Sequence, residues 1–390
     1  MRGIDFRKDD GLVTVLVAIL FSSLVIVGAL AIVIDGGSLY RERRVLQNAA
    51  DSATLANTRE CALETSNCVS TVFASSYTNA NSPDLLSNVK ELCGRNLGVT
   101  SVSLNTCTPV TVRPFACKDI GSTYPRYVRV IADTKTTSGT TINLPLGSAL
   151  DSQNTAGKKI EACAQAAWGK ARSAPVVFPI AFPACGFSAT IDSQIWHPIF
   201  SKNDVACSIT DIFGANFSYT SNLNGYTQIK DGGCPSEVTP RTYTIGDIIT
   251  TESSFLQLTS NPATGCATLQ QFISVVNPLI GKVIYVPVVG DVTASGGLGN
   301  GQFKIIGFYA VKLLGAKFKN PNGSGAIFGT APTCTAADQC TSANYNWPKV
   351  CGNDGSCFYG KFSRGVVPGS DVDFDTNDPA LGAQAVQLLP

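Results

Sequence analysis

Near the C-terminus five oxygen-bearing side chains stand at Asp371, Asp373, Asp375, Asn377 and Asp378. Alternating carboxylates of this kind offer the oxygen ligands that Ca²⁺ takes. Read as an EF-hand loop the pattern breaks, with Thr376 where Gly is needed and Gly382 where the bidentate Glu belongs. Two expectations stand: calcium held by Asp371, Asp373, Asp375 and Asn377, or a solvated acidic tail over residues 371–390. Ser87-x-x-Lys90 has the spacing of a serine nucleophile with a lysine base, but no Ser-Asp-Asn or Lys-Thr-Gly accompanies it. His197 is the single histidine of the chain, which removes most zinc sites and most acid–base triads. No phosphate-cradling G-x-x-x-x-G-K-[ST] occurs. The expectation is a protein without catalytic residues, without a nucleotide and without a cofactor other than that calcium.

Fourteen cysteines are the more telling residues, all of them after position 60 and none spaced C-x-x-C. An even, abundant set of this kind predicts disulfides in an oxidising compartment. Local bridges Cys61–Cys68, Cys107–Cys117, Cys334–Cys340 and Cys351–Cys357 are compatible with the spacing. One of them carries a condition. A helix running through both Cys61 and Cys68 would set their Cα atoms ~10 Å apart, too far to bridge. Either the helix ends near Cys61 or these two have other partners.

The elements that position such residues begin with a run of 23 uncharged residues, 12–34. As a helix it spans ~35 Å, enough for a hydrocarbon core of ~30 Å. Ala29-Leu30-Ala31 also fits a signal-peptidase pattern, so cleavage at Ala31 is the rival to a retained transmembrane helix. Arginines flank the run on both sides, whereas the thiols lie only beyond it. That places the N-terminus in the cytoplasm and the rest outside, as a single-pass protein of the cell membrane in contact with the bilayer. Next, Leu46, Ala49, Ala50, Ala53 and Ala56 recur at helical spacing and form a narrow alanine-rich face. The face can receive a partner's helix or the chain's own ectodomain. Further helical period is expected over 53–77, 82–97 and 255–276, while 158–168 fits helix or strand. Residues 281–318 predict two strands joined by a glycine-rich loop over 294–301.

The predicted fold class is α+β: a transmembrane helix and helical stalk, then a disulfide-rich, mainly β ectodomain. Its regions are a cytoplasmic N-terminus (1–11), the span (12–34), the stalk (35–60), a first α+β ectodomain region (61–172), a Gly- and Pro-rich β region (173–370) and the tail (371–390). Net charge is +1, which gives no electrostatic footprint for nucleic acid.

Gly11, the apolar span, then Asp35, Leu39-Tyr40, Arg43, Leu46-Gln47, Ala49-Ala50-Asp51 and Ala53-Thr54-Leu55-Ala56 resemble the TadE/TadG-like proteins of Flp/Tad pilus assembly. The nearest likeness is to their actinobacterial TadG-related branch. The resemblance implies a non-enzymatic membrane protein of the cell surface that assembles, anchors or regulates a pilus through other pilus-assembly or envelope proteins. Leu16 stands where a prepilin carries its Glu after the cleavage-site Gly, and no Asp-x-Ser-x-Ser of a von Willebrand A domain occurs. Neither prepilin processing nor that domain is therefore expected. The alternative is a surface adhesin or binding protein unrelated to a pilus.

Overall fold

The computed structural model describes residues 10–82, 86–97, 103–108, 117, 120, 123–135, 139, 141–142, 158–178, 180–183, 197–198, 227–229, 239–252, 274–292, 302–319, 325–328, 357–374 and 382–389. One helix, α1 (Asp10–Ala62), runs unbroken through both the apolar run and the stalk. At 1.5 Å per residue its 53 residues reach ~80 Å. Gly36 and Gly37 lie within it, with nothing near the positions their Cβ atoms would take. A 3₁₀ turn (Ser66–Val69) and a second helix, α2 (Thr71–Ala80), follow. Ser70 caps α2 by accepting from the Phe73 amide at 3.1 Å.

The C-terminal half of α1 lies on a six-stranded sheet built from β1 (Ser87–Asn96), β2 (Arg126–Thr134), β3 (Glu161–Ala171), β14 (Gly365–Val366), β15 (Val372–Asp373) and β16 (Ala383–Leu388). The order is β1-β2-β3-β16-β14, and β15 pairs with β3 beside the end of β2. A two-stranded ribbon, β4 (Ser173–Val176) with β8 (Arg241–Thr244), leads out of β3. The remaining strands are β5 (Ile180–Pro183), β6 (His197–Pro198), β7 (Thr227–Ile229), β9 (Ile248–Glu252), β10 (Val283–Val292), β11 (Gln302–Lys319), β12 (Gly325–Phe328) and β13 (Cys357–Phe362). Among them β10, β5, β7, β9 and β11 pair in a closed ring, because β11 bonds both β9 and β10. One apolar core joins the two sheets: Ala171, Ala383 and Ala385 pack with Phe303, Ile305 and Phe308.

Several expectations are corrected. Within 82–97, Ser87–Asn96 form strand β1, not a helix; a bulge between Val89 and Glu91 breaks the alternation that would have marked it. The helical period over 53–77 is interrupted, since α1 stops at Ala62 and α2 starts at Thr71. Residues 158–168 contribute to β3, whose alanines favour helix in isolation and are overruled by burial on both faces. The C-terminal segment is not simply a solvated tail. β16 pairs antiparallel with β3 from Gln384↔Lys170 to Leu388↔Ala166, and Ala383, Gln384 and Ala385 are buried. Gly382 opens this strand at φ +89°, where a Cβ would stand 2.6 Å from the Ser363 carbonyl oxygen, so only glycine fits. The pair over 281–318 is present as the antiparallel strands β10 and β11; the loop between them lies outside the described residues.

Candidate functional site

The sequence-predicted face of α1 is occupied by the chain itself. Leu46, Ala49, Ala50 and Ala53 are fully buried, and Ala56 is half-buried. Leu46 and Ala50 pack with Ala132, Ile160, Ala162 and Ala164, while Ala53 packs with Val128, Val130 and Trp168. Alanines on both helix and sheet let the two backbones lie close. Of the two uses open to this face, the fold takes the inward one, so it is not a free surface for another helix. Polar groups fix the register. Gln47 donates through Nε2 to the Cys163 carbonyl at 3.0 Å and to Asp51 Oδ1 at 2.9 Å. Thr54 Oγ1 donates to the Ala164 carbonyl at 3.4 Å.

The end of α1 is built with similar care. The Thr65 amide bonds back to the Glu60 carbonyl and the Glu64 amide to that of Cys61, the paired bonds of a Schellman motif. The left-handed position is Glu64, at φ 55°, where glycine is usual. Arg364 pairs with its carboxylate at 2.7 Å and so ties the helix end to the C-terminal strands. Sequence reasoning missed Glu64 because no glycine marks the stop. Asn57 Nδ2 donates to the carbonyls of Asn67 at 3.1 Å and Cys68 at 3.3 Å, folding the chain back. With the helix ended at Ala62, Cys61 and Cys68 come to a Cα separation of 4.4 Å and are bridged. Cys107 and Cys117 do not pair with each other: Cys93 bonds Cys107 and Cys117 bonds Cys163. Cys93 and Cys163 lie on β1 and β3 on either side of β2, opposite Arg129 and Ile131. The side chains of Cys334, Cys340, Cys351 and Cys357 lie outside the described residues.

On the far face of the sheet from α1, Arg129 pairs with Glu91 at 3.2 Å, and Thr108 donates to Glu91 Oε1 from its amide at 3.0 Å and its hydroxyl at 2.7 Å. Burial pushes the Glu91 carboxyl up; the Thr108 hydrogen bonds and the Arg129 charge outweigh it, so Glu91 ionises below the usual glutamate value. A depressed carboxylate stabilises the fold above its unfolded pKa of about 4.3, and this stabilisation fades as pH falls through the lower folded value. Glu91→Gln should therefore lose about 1–3 kcal/mol at neutral pH, with a smaller loss on acidification below pH ~4 than in the parent. Thermal melts of the two proteins across pH measure the difference.

The other expected sites resolve as follows. Ser87 is buried, its hydroxyl donating to Asn79 Oδ1 at 2.9 Å, while Lys90 pairs with Glu161 at 2.6 Å. The two are therefore engaged separately. His197 sits in β6 opposite Gly360, with its side chain outside the described residues. Asp373 pairs by backbone with Lys170 and Asp371 is exposed; Asp375 and Asn377 lie outside the described residues. Among the described residues no group of three or more His, Cys, Asp or Glu could hold a metal ion.

The N-terminal half of α1 differs in kind from the docked half. Val13, Val15, Leu16, Val17, Ile19, Phe21, Ile26, Val33 and Ile34 are between 44% and 69% exposed. An apolar surface of this length asks for cover. Among the described residues, which omit the side chains at 10–12, 20, 22–25, 27 and 30–32, no helix is long and apolar enough to cross a membrane. No curated protein and no solved structure shows significant similarity to the chain. The helix with one bare apolar half and one docked half is, however, the segment that matches a known family: residues 11–56 fit the putative Flp pilus-assembly TadE/G-like proteins.

Proposed function

We propose that this chain is a non-enzymatic, single-pass component of a Flp/Tad-type pilus apparatus in the cell envelope, close to the actinobacterial TadG-related branch. Residues 12–34 anchor it in the cell membrane, the N-terminus is cytoplasmic, and the disulfide-stapled sheets stand outside. The observation that carries this reading is the division of α1: an apolar, exposed first half within a family-matched segment, and a second half locked to the ectodomain. A helix so fixed transmits position between membrane and ectodomain, which suits anchoring or organising other pilus-assembly proteins. Three disulfides among the described residues fit an oxidising compartment. The reading assigns the chain no reaction and no resident cofactor.

Deletion of the gene in its own host tests it. Surface pili, counted by electron microscopy, should be lost or sharply reduced and return with the full chain. Normal pili in the deletion strain would overturn the pilus role.

A further inference from the structure

The outer face of α2 and of the turn before it is apolar and open to solvent. Ala74 and Thr78 turn inward and are buried, Ala74 in the cluster of Ala53, Val130 and Trp168. On the outer side Val69, Val72 and Tyr77 are 43%, 80% and 40% exposed, and the Phe73 ring stands 5.0 Å from that of Tyr77. No residue from 65 to 83 carries a charge. We infer that Val69, Val72, Phe73 and Tyr77 form the contact between two copies of this chain anchored side by side in one membrane. This inference rests on the membrane reading above.

Position and charge select that partner. Asn57 holds the start of α2 through the Asn67 and Cys68 carbonyls, and near its end Asn81 Nδ2 donates to Ser52 Oγ at 2.8 Å. The helix therefore runs back along the flank of α1, and the face it turns away from α1 looks sideways, along the plane of the membrane. Residues 52–62 of α1 lie about 27–42 Å along the helix from Ile34. Headgroups extend only about 5–7 Å beyond the hydrocarbon, so lipid does not reach the patch. A two-fold axis along the membrane normal brings the same face of a second copy against it without lifting either anchor. An uncharged surface meets its own copy with no like-charge repulsion. The four side chains offer on the order of 300 Å² per copy, against about 800 Å² in a standard interface. Confinement of both copies to one bilayer supplies the effective concentration that makes up for the small area.

Photo-crosslinking of the full chain in intact membranes of its own host tests the contact. With Tyr77→benzoylphenylalanine, ultraviolet light should give a band of twice the chain's mass that contains this chain alone by mass spectrometry. The same probe at a distant surface, Ile248→benzoylphenylalanine, 55% exposed on β9, should give none. Val72→Glu in every copy should cut the Tyr77 yield about tenfold or more, as should Val72→Lys, because like charges then face each other. Co-expressed Val72→Glu and Val72→Lys chains should restore it, which shows that both variants fold. No dimer band, a band with a different protein, an equal yield from position 248, a yield indifferent to Val72, or a loss that mixing does not repair would each overturn the proposal. Alkaline extraction of the same membranes separates this failure from the other. A parent chain that stays in the membrane without a dimer band refutes only the pairing, whereas one that is washed out refutes the membrane reading and the pairing with it.

Discussion

Arginine placed at both Phe21 and Ile26 should remove the chain from the alkali-resistant membrane fraction. Both side chains are exposed on α1, 68% and 58%, so neither change disturbs a protein contact of the ectodomain. Both positions lie near the middle of the uncharged run 12–34. An arginine at the centre of a spanning helix opposes insertion by about 2.5–3.5 kcal/mol, so two oppose it by about 5–7 kcal/mol. The run contains 16 Leu, Ile, Val and Phe residues. At about 0.3–0.6 kcal/mol each they favour insertion by about 5–10 kcal/mol. The two terms are of equal size, so under the proposed anchoring the margin for insertion is consumed. Immunoblots of soluble and alkali-washed fractions read the shift. Val72→Arg, at 80% exposure on α2, should leave the distribution unchanged. A double-arginine variant that stays in the membrane fraction would contradict the anchoring role of residues 12–34.

What could be read from the residues, and what could not, divides along a physical line. Local patterns were legible. The β-branched residues of β10 and β11 produce the predicted antiparallel pair, and the distance between two cysteines on a helix stated the alternatives at Cys61 and Cys68 before the helix end was known. The stalk face was legible as a face, but its partner was not, because an alanine stripe suits any close neighbour. What escaped depended on contacts distant in sequence. β3 holds its extended form because β2 and β16 flank it, and five alanines in eleven residues favour helix until both neighbours are present. Likewise Asp373 and its neighbours looked like a ligand set or a tail, since nothing nearby announces that β15 and β16 return to a sheet begun almost 300 residues earlier. Gly169 shows the constraint from the other side: a Cβ there would stand 2.5 Å from the Asp373 carbonyl oxygen. A glycine in a strand interior signals close approach, but not by what.

The seam between α1 and the sheet should be most sensitive at Trp168. Among the described residues its side chain is the largest of the fully or almost fully buried ones, at 2% exposure, and it packs in the cluster of Ala53, Cys61, Cys68, Val128 and Val130, with Val386 of β16 beside it. Cys61 and Cys68 beside it are tied by a disulfide and Val128 and Val130 are fixed in β2, so its neighbours have little freedom to relax into the space it would leave. Trp168→Ala should therefore sit in the upper part of the usual range of about 3–5 kcal/mol. Ala50→Leu, at a fully buried position lower on the same seam, adds volume where the backbones are already close and should cost about 1–3 kcal/mol. Against a total stability of order 5–15 kcal/mol, the first change removes a large share and the second a tolerable one. Chemical denaturation of the full chain with its disulfides intact ranks the two. Under the proposed function the undocking has a further consequence: a helix loosened from its sheet would still anchor in the bilayer but would no longer set the position of the ectodomain. Trp168→Ala should thus leave the chain in the membrane fraction while reducing pilus assembly, whereas the double arginine variant should abolish both. Normal piliation in a Trp168→Ala strain, with the destabilisation confirmed in the purified protein, would show that rigid docking of α1 is not what the apparatus uses.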